Sequence, residues 1–197
     1  MDKVEIKEIT IEDIPDYVKV NTTAWQESYK GLIDDSILDG VVNNVENSIQ
    51  KQIDKFASDK KNNIKKFVLK VNNEVVGMTG IGRATDEKYK EYGELHSLYL
   101  LNKVKKKGYG KMLFYHDVKE LIGLGFNSMV IGCLVNNPAN DFYKHMGGKL
   151  IEVATRKIKG HYMTENIYYY ENLKDIIKID NKIIRIKIIW PFLLFIC

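Results

Sequence analysis

The sequence predicts an α+β fold in which helices flank a central mixed, mostly antiparallel sheet. Three observations carry this. Apolar segments of period two and period 3.6 follow one another in the order β, α, α, β, β, β, α, β, α, β, β. Two pairs of strand segments are joined by short turns, Asn72-Asn73 and Lys159-Gly160, and so run antiparallel. One strand–helix–strand passage, through a helix that opens near Lys111, requires a parallel crossover.

The first strand spans Lys3 to Ile9, with Val4, Ile6 and Ile9 set among charges. Thr10 and Asp13 form a helix-start box. The helix they open carries Val18, Val20, Trp25 and Tyr29 and breaks at Gly31. A second helical region runs from about Asp34 to Ala57, divided around Gly40, and Ser58 to Lys65 reads as a polar linker. Phe67–Val71 and Val75–Ile81 form a hairpin, and Gly93–Leu101 is the next strand. In the following helix Phe114, Val118, Leu121 and Ile122 share one face, and Gly123 and Gly125 end it. Ser128–Val135 is a short buried strand. Asn137-Pro138 starts another helix, which Gly147-Gly148 ends. Strands Lys149–Ile158 and His161–Tyr170 close the domain. One domain over 1–172 is therefore expected, with residues 173–197 as a C-terminal extension.

Composition narrows the function. With 45% hydrophobic and 28% charged residues, the 197-residue chain is that of a globular protein. A net charge of +4 does not by itself indicate a nucleic-acid binder. Two cysteines, Cys133 and Cys197, make no disulfide framework, and the N-terminus lacks an apolar leader segment; both point to the cytoplasm. The final apolar run, Ile188–Cys197, is shorter than the ~20 residues a bilayer span needs. No membrane association is expected, and the run is read as packing on the domain or at a homodimer contact. His116, His145 and His161 show no metal-ligand spacing, so no metal is expected.

The chemistry concentrates at Lys105-Lys106-Lys107-Gly108-Tyr109-Gly110-Lys111, between a strand and a helix. The glycines let the backbone turn sharply, and the helix start offers unpaired N–H groups and the positive end of its dipole. With three lysines beside it, this is a phosphate or pyrophosphate site. The Walker pattern fails because Met112 stands where a hydroxyl is needed, and the dinucleotide fingerprint fails at Leu113.

Leu98-Tyr99-Leu100 followed by Lys105–Lys111 resembles the acetyl-CoA motif of the GNAT family of N-acetyltransferases, Gln/Arg-x-x-Gly-x-Gly/Ala, with Lys105 in the Gln/Arg place. Asn136-Asn137-Pro138-Ala139, Phe142-Tyr143 and Gly147 are similar to the family's Asn-x-x-Ala-x-x-x-Tyr-x-x-x-Gly segment. Gly148 replaces the usual aromatic, which predicts a gap in the local packing. The resemblance covers about Lys3 to Tyr170 and implies the GNAT acyltransferase fold. It implies that the backbone of Lys107 to Lys111 holds the CoA pyrophosphate. It also implies that the backbone of Leu98 and Leu100 pairs with the pantetheine arm, and that Asn136 bonds the pantetheine amide. Tyr143 is then the acid that protonates the departing thiolate. The acceptor would be a small or protein primary amine.

Glu94 is the best candidate for the base, on the strand that delivers Leu98; strict alternation puts it on the face of His96 and Leu98. His96 competes with it. Trp25, Tyr29 and Asp34 sit where such enzymes build the acceptor pocket, although Trp25 and Tyr29, four apart on one helical face, also read as packing residues. The stretch Trp25–Leu38 is similar to family members that include polyamine acetyltransferases. Two other readings are a non-catalytic acyl-CoA sensor on the same fold and a nucleic-acid binder using the basic patch, the latter lacking interleaved aromatics beyond Tyr109 and Tyr115.

Overall fold

The computed structural model describes residues 2–158 and 160–178. Its centre is a seven-stranded sheet in the order β1-β2-β3-β4-β5-β7-β6. The strands are β1 (Val4–Glu8), β2 (Lys65–Val71), β3 (Glu74–Arg83), β4 (Gly93–Leu100), β5 (Met129–Leu134), β6 (Lys149–Ile158) and β7 (His161–Tyr170). Every neighbouring pair is antiparallel except β4–β5. Helices α1 (Ile14–Tyr29), α2 (Asp35–Val42) and α3 (Val45–Lys61) lie on one face, and α4 (Tyr109–Gly123) and α5 (Ala139–His145) on the other.

Local chemistry accounts for the junctions. Asn72 and Asn73 both take left-handed backbone angles, φ 51° and 68°. A two-residue turn of that kind matches the twist of the flanking strands, and asparagine tolerates it. At the entry to α1 the Asp13 carboxylate accepts from the Thr10 N–H and hydroxyl, each at 2.9 Å, and from Lys7 at 2.8 Å. Gly108, at φ 86°, caps the start of α4. Leu113, Phe114, Val118 and Leu121 of α4 are fully buried. The last three join Phe67, Ile81, Leu95 and Ile131 from four strands with Tyr143 of α5 and Tyr168 of β7 in the main core, while Leu113 packs with Leu69, Val76 and Leu100.

Three boundaries differ from the sequence expectation. Gly40 lies inside α2, and the break falls at Asn43-Asn44, where the Asn44 amide turns back to donate to the Gly40 carbonyl at 2.7 Å. One glycine in an exposed helix costs only about 1 kcal/mol, too little to end it. The polar stretch after Ala57 is helical to Lys61, leaving a linker of three residues in which Asn63 takes φ 56°. The domain also runs past residue 172: residues 173–178 are helical, Leu173 is fully buried, and its N–H donates to the Asn127 carbonyl at 2.9 Å. The expectations for Lys159 and for the apolar run at 188–197 lie outside the described residues.

A bulge in β4 has the largest effect on function. Gly80 pairs with Ser97 but Ile81 pairs with Leu95, so His96 is an extra residue. Alternation breaks there. Leu95 and Leu98 both pack toward α4, while Tyr99 packs toward α1. Glu94 therefore lies on the α1 face with Tyr99, opposite Leu98, which corrects the expectation that Glu94 and Leu98 share a face.

Candidate active site

β4 and β5 pair only at their bases, Gly93 with Met129 and Glu94 with Val130. Beyond that they diverge and leave a cleft of about 710 Å³ through the sheet. The Leu101 N–H donates to Val76 of β3 at 2.9 Å. Alternate residues of a strand point their backbone groups to opposite sides. Tyr99 therefore faces β3 as well, and the N–H and C=O groups of Leu98 and Leu100 point into the opening. On the far side, the Val135 N–H donates to Thr164 of β7 at 3.1 Å, so Gly132 turns its backbone groups toward the same opening.

On the α4 face the cleft is bounded by Lys105, Lys106, Gly108, Gly110 and Lys111. The turn needs two left-handed residues, Lys106 at φ 63° and Gly108 at φ 86°. It brings the open first turn of α4 to the cleft mouth, a site for an anionic group. Lys107 is exposed and outside the cleft wall. The Tyr109 side chain turns into the core beside Val104, with its hydroxyl 3.3 Å from Asp2, so only its backbone faces the helix start.

α5 supplies the second wall. Tyr143 lines the cleft, and burial raises its pKa well above the usual phenol value, so the hydroxyl keeps its proton. Ala139 also lines it. Asn136 does not: it sits exposed on the turn, one position short of the cleft, because Asn137 closes that turn onto the Leu134 carbonyl at 2.9 Å. Asn137 takes the place in the wall, and its Oδ1 accepts from the Ala139 N–H at 2.8 Å. The buried Asn140 locks α5 in place. It donates to the carbonyls of Leu134 and Asn137 and accepts from Asn166 and Tyr168.

The expected gap at Gly148 is absent. The Tyr170 ring fills it, with its hydroxyl 2.8 Å from where a Gly148 Cβ would lie. That hydroxyl donates to the Tyr143 carbonyl at 2.9 Å. The aromatic thus comes from β7 rather than from the position after Gly147.

On the α1 face, Glu27, Ser28 and Tyr29 line the cleft with His96, Ser97 and Tyr99. The Tyr29 and Tyr99 hydroxyls are 2.8 Å apart. Burial pushes Tyr29 up to about 12 and raises Tyr99 well above the usual phenol value, so both stay neutral. Trp25 is buried among Leu38, Val41 and Met163, edge-on to Tyr29, and serves as packing behind the wall. Asp34 is exposed and caps α2, accepting from the Ser36 N–H at 2.8 Å. Neither Trp25 nor Asp34 reaches the cleft.

Glu94 is not in the wall either. Its Oε2 accepts from the Thr85 N–H at 2.7 Å and the Thr85 hydroxyl at 3.0 Å. His96 lies 3.7 Å from it and places Nε2 2.9 Å from the Arg83 carbonyl, an acceptor, so that nitrogen carries hydrogen. Cys133 lines the cleft, but burial pushes its thiol up to about 12, which removes the thiolate a covalent acyl step needs. Among the described residues no group of His, Cys, Asp and Glu is arranged to hold a metal, and no helix is long and apolar enough to cross a membrane.

The chain is similar to known proteins in sequence and in fold. Residues 27–147 match the model of the acetyltransferase (GNAT) family. A Bacillus subtilis protein, the uncharacterized N-acetyltransferase YuaI, is 28% identical over 144 residues, covering 72% of this chain and 78% of its own. Among solved structures, the PaiA N-acetyltransferase of Thermoplasma acidophilum in complex with coenzyme A superposes with a TM-score of 0.65 at 17% identity, covering 86% of this chain and 99% of that one. The putative acetyltransferase YncA of Salmonella typhimurium, with its cofactor acetyl-CoA, gives 0.61 at 14% identity, covering 85% and 93%.

Proposed function

Because this chain belongs to the GNAT family of acetyltransferases and is an acetyl-CoA-dependent acyltransferase, we propose that it acetylates a primary amine of a small molecule or protein by direct attack in a ternary complex. The observation that carries this is the opening between β4 and β5, into which Leu98 and Leu100 turn unpaired backbone groups. An extended pantetheine arm adds there as a strand adds to a sheet edge. The backbone of residues 107–111 holds the pyrophosphate at the start of α4, with Lys105, Lys106 and Lys111 beside it.

The acetyl carbonyl then reaches the middle of the sheet, where the β4 N–H groups polarise it and stabilise the oxyanion that forms. Tyr143, kept protonated by burial, gives its proton to the thiolate as the C–S bond breaks. The amine enters from the α1 face, past Tyr29 and Tyr99.

Thermal denaturation with and without acetyl-CoA tests the cofactor site. Saturating acetyl-CoA raises the Tm of the wild type, and Gly108→Asp, which sets a carboxylate at the pyrophosphate, abolishes the shift. A thiol-release assay over polyamines, aminoglycosides, amino acids and peptide N-termini tests turnover, and Tyr143→Phe lowers kcat about 100-fold or more. No shift with acetyl-CoA refutes the cofactor site. A shift without turnover on any amine makes the protein an acyl-CoA sensor.

A further inference from the structure

An amine attacking the thioester comes from the face opposite the pyrophosphate, where β5 presents Gly132 to the cleft. Gly132 yields its side-chain space to the carboxyl group of Glu165. A Cβ built on Gly132 would meet Glu165 Oε2 at 2.9 Å and Oε1 and Cδ at 3.1 Å. Glu165 stands on β7 opposite Leu134 of β5 and Ala154 of β6. Its neighbours on alternate positions, Met163 and Ile167, are buried on the α1 side of the sheet. The carboxyl group therefore lies on the α1 side of the sheet against Gly132, which lines the cleft, while Glu165 itself stands just behind that wall.

We propose that Glu165 accepts the proton of the incoming ammonium, directly or through one water, in the acetyl transfer set out above. The inference rests on that reading and assigns its base.

Glu94 is less suited to the task, because Thr85 occupies one of its oxygens twice. Among the described residues no hydrogen bond occupies the Glu165 carboxyl. The charged and titratable groups around it are Arg156 of β6, Glu94 of β4, Cys133 of β5 and Tyr29 of α1. Arg156 shares its charge with Asp86, 2.9 Å away. Burial raises the Glu165 pKa, Arg156 opposes this, and Glu94 adds to it. A carboxylate held above its usual range is a better base near neutral pH.

The protons balance. Glu165 takes one from the ammonium and passes it to solvent, and the freed lone pair forms the C–N bond at the acetyl carbon. The C–S bond breaks and sulfur leaves with its electron pair, taking a proton from Tyr143. The second nitrogen proton leaves as the amide forms and restores Tyr143. One proton is released for each acetyl group transferred.

The test is the pH dependence of kcat/KM for wild type, Glu165→Gln, Glu165→Asp and Glu94→Gln on the best acceptor of the amine panel. Glu165→Gln is expected to lose about 100-fold or more at pH 7. Its rate then climbs toward wild type as pH approaches the pKa of the free amine, where no base is needed. Its stabilisation by acetyl-CoA is unchanged. Glu165→Asp and Glu94→Gln keep the shape of the wild-type profile. A wild-type profile in Glu165→Gln overturns the proposal, as does a loss uniform from pH 6 to 10. Transfer of the Glu165→Gln behaviour to Glu94→Gln overturns it too. If the wild type turns over no amine, the acetyl-transfer reading itself falls and takes this assignment with it.

Discussion

Replacing Gly148 with alanine tests how the Tyr143 wall is held. The new Cβ would lie 2.8 Å from the Tyr170 hydroxyl, 2.9 Å from its Cζ and 3.0 Å from the Tyr143 carbonyl. That carbonyl is fixed, since it also accepts from the Gly148 N–H at 3.0 Å. The tyrosine ring must therefore move, and its hydrogen bond to Tyr143 breaks. The lost bond contributes about 1 kcal/mol. Overpacking an interior adds about 1–3 kcal/mol. The sum, about 2–4 kcal/mol, lowers the Tm of a domain this size by roughly 4–16 °C. Urea denaturation and thermal melts of Gly148→Ala, Tyr170→Phe and the double variant measure it. Tyr170→Phe removes the nearest clashing atom, so the double variant should lose less than the two single losses added, by about 0.5 kcal/mol or more. A Gly148→Ala protein within about 0.5 kcal/mol of wild type, or strict additivity, would refute the reasoning.

Two buried carboxylates set opposite pH signatures. Burial pushes Asp117 up to about 6, with Thr79 and His116 on one oxygen and no partner for the other. Its folded pKa exceeds the unfolded one, so its stability is full below pH 4 and is lost as pH rises through 6. Asp117→Asn should remove up to about 3 kcal/mol of that pH dependence and gain on wild type between pH 4.5 and 7.5; a constant difference across that range in urea melts counts against it. Burial also disfavours charge on Asp13, but Lys7 and Thr10 outweigh it and hold the carboxyl well below the usual range. Its stabilisation is present above pH 4 and is lost as pH falls below that. Asp13→Asn should cost about 2 kcal/mol at pH 7 and about half of that at pH 2.5, read by the same melts; an equal loss at both pH values would contradict the ion-pair account.

Periodicity and turn chemistry made much of the fold legible. The last two strands begin and end where alternation and the Lys159-Gly160 turn place them, and Tyr29 closes α1 as Gly31 requires. What escaped depends on three-dimensional pairing. The extra residue at His96 exists only relative to β3, and it moves Glu94 to the other face. Glu165 gains meaning only beside a glycine more than thirty positions earlier, and Tyr170 only beside Gly148. Asn140 is the partial exception, since a polar residue on the inner side of a short helix signals a buried network. Exposed cap chemistry at Asp34 and packing at Trp25 resemble site residues in sequence because function draws on the same residue types.

The divergence of β4 from β5 also divides the molecule mechanically. Two residue pairs join the four-stranded half to the three-stranded half, and beyond them the halves meet through the side chains of the main core. Without a ligand, β5, β7 and β6 are expected to open more readily than β2 and β3, which hydrogen exchange would show as faster amide exchange. In the proposed binding mode an acyl-CoA strand in the opening would complete the ladder and fuse the two units. Bound cofactor is then expected to slow exchange in β5, β7 and β6 more than in β2 and β3.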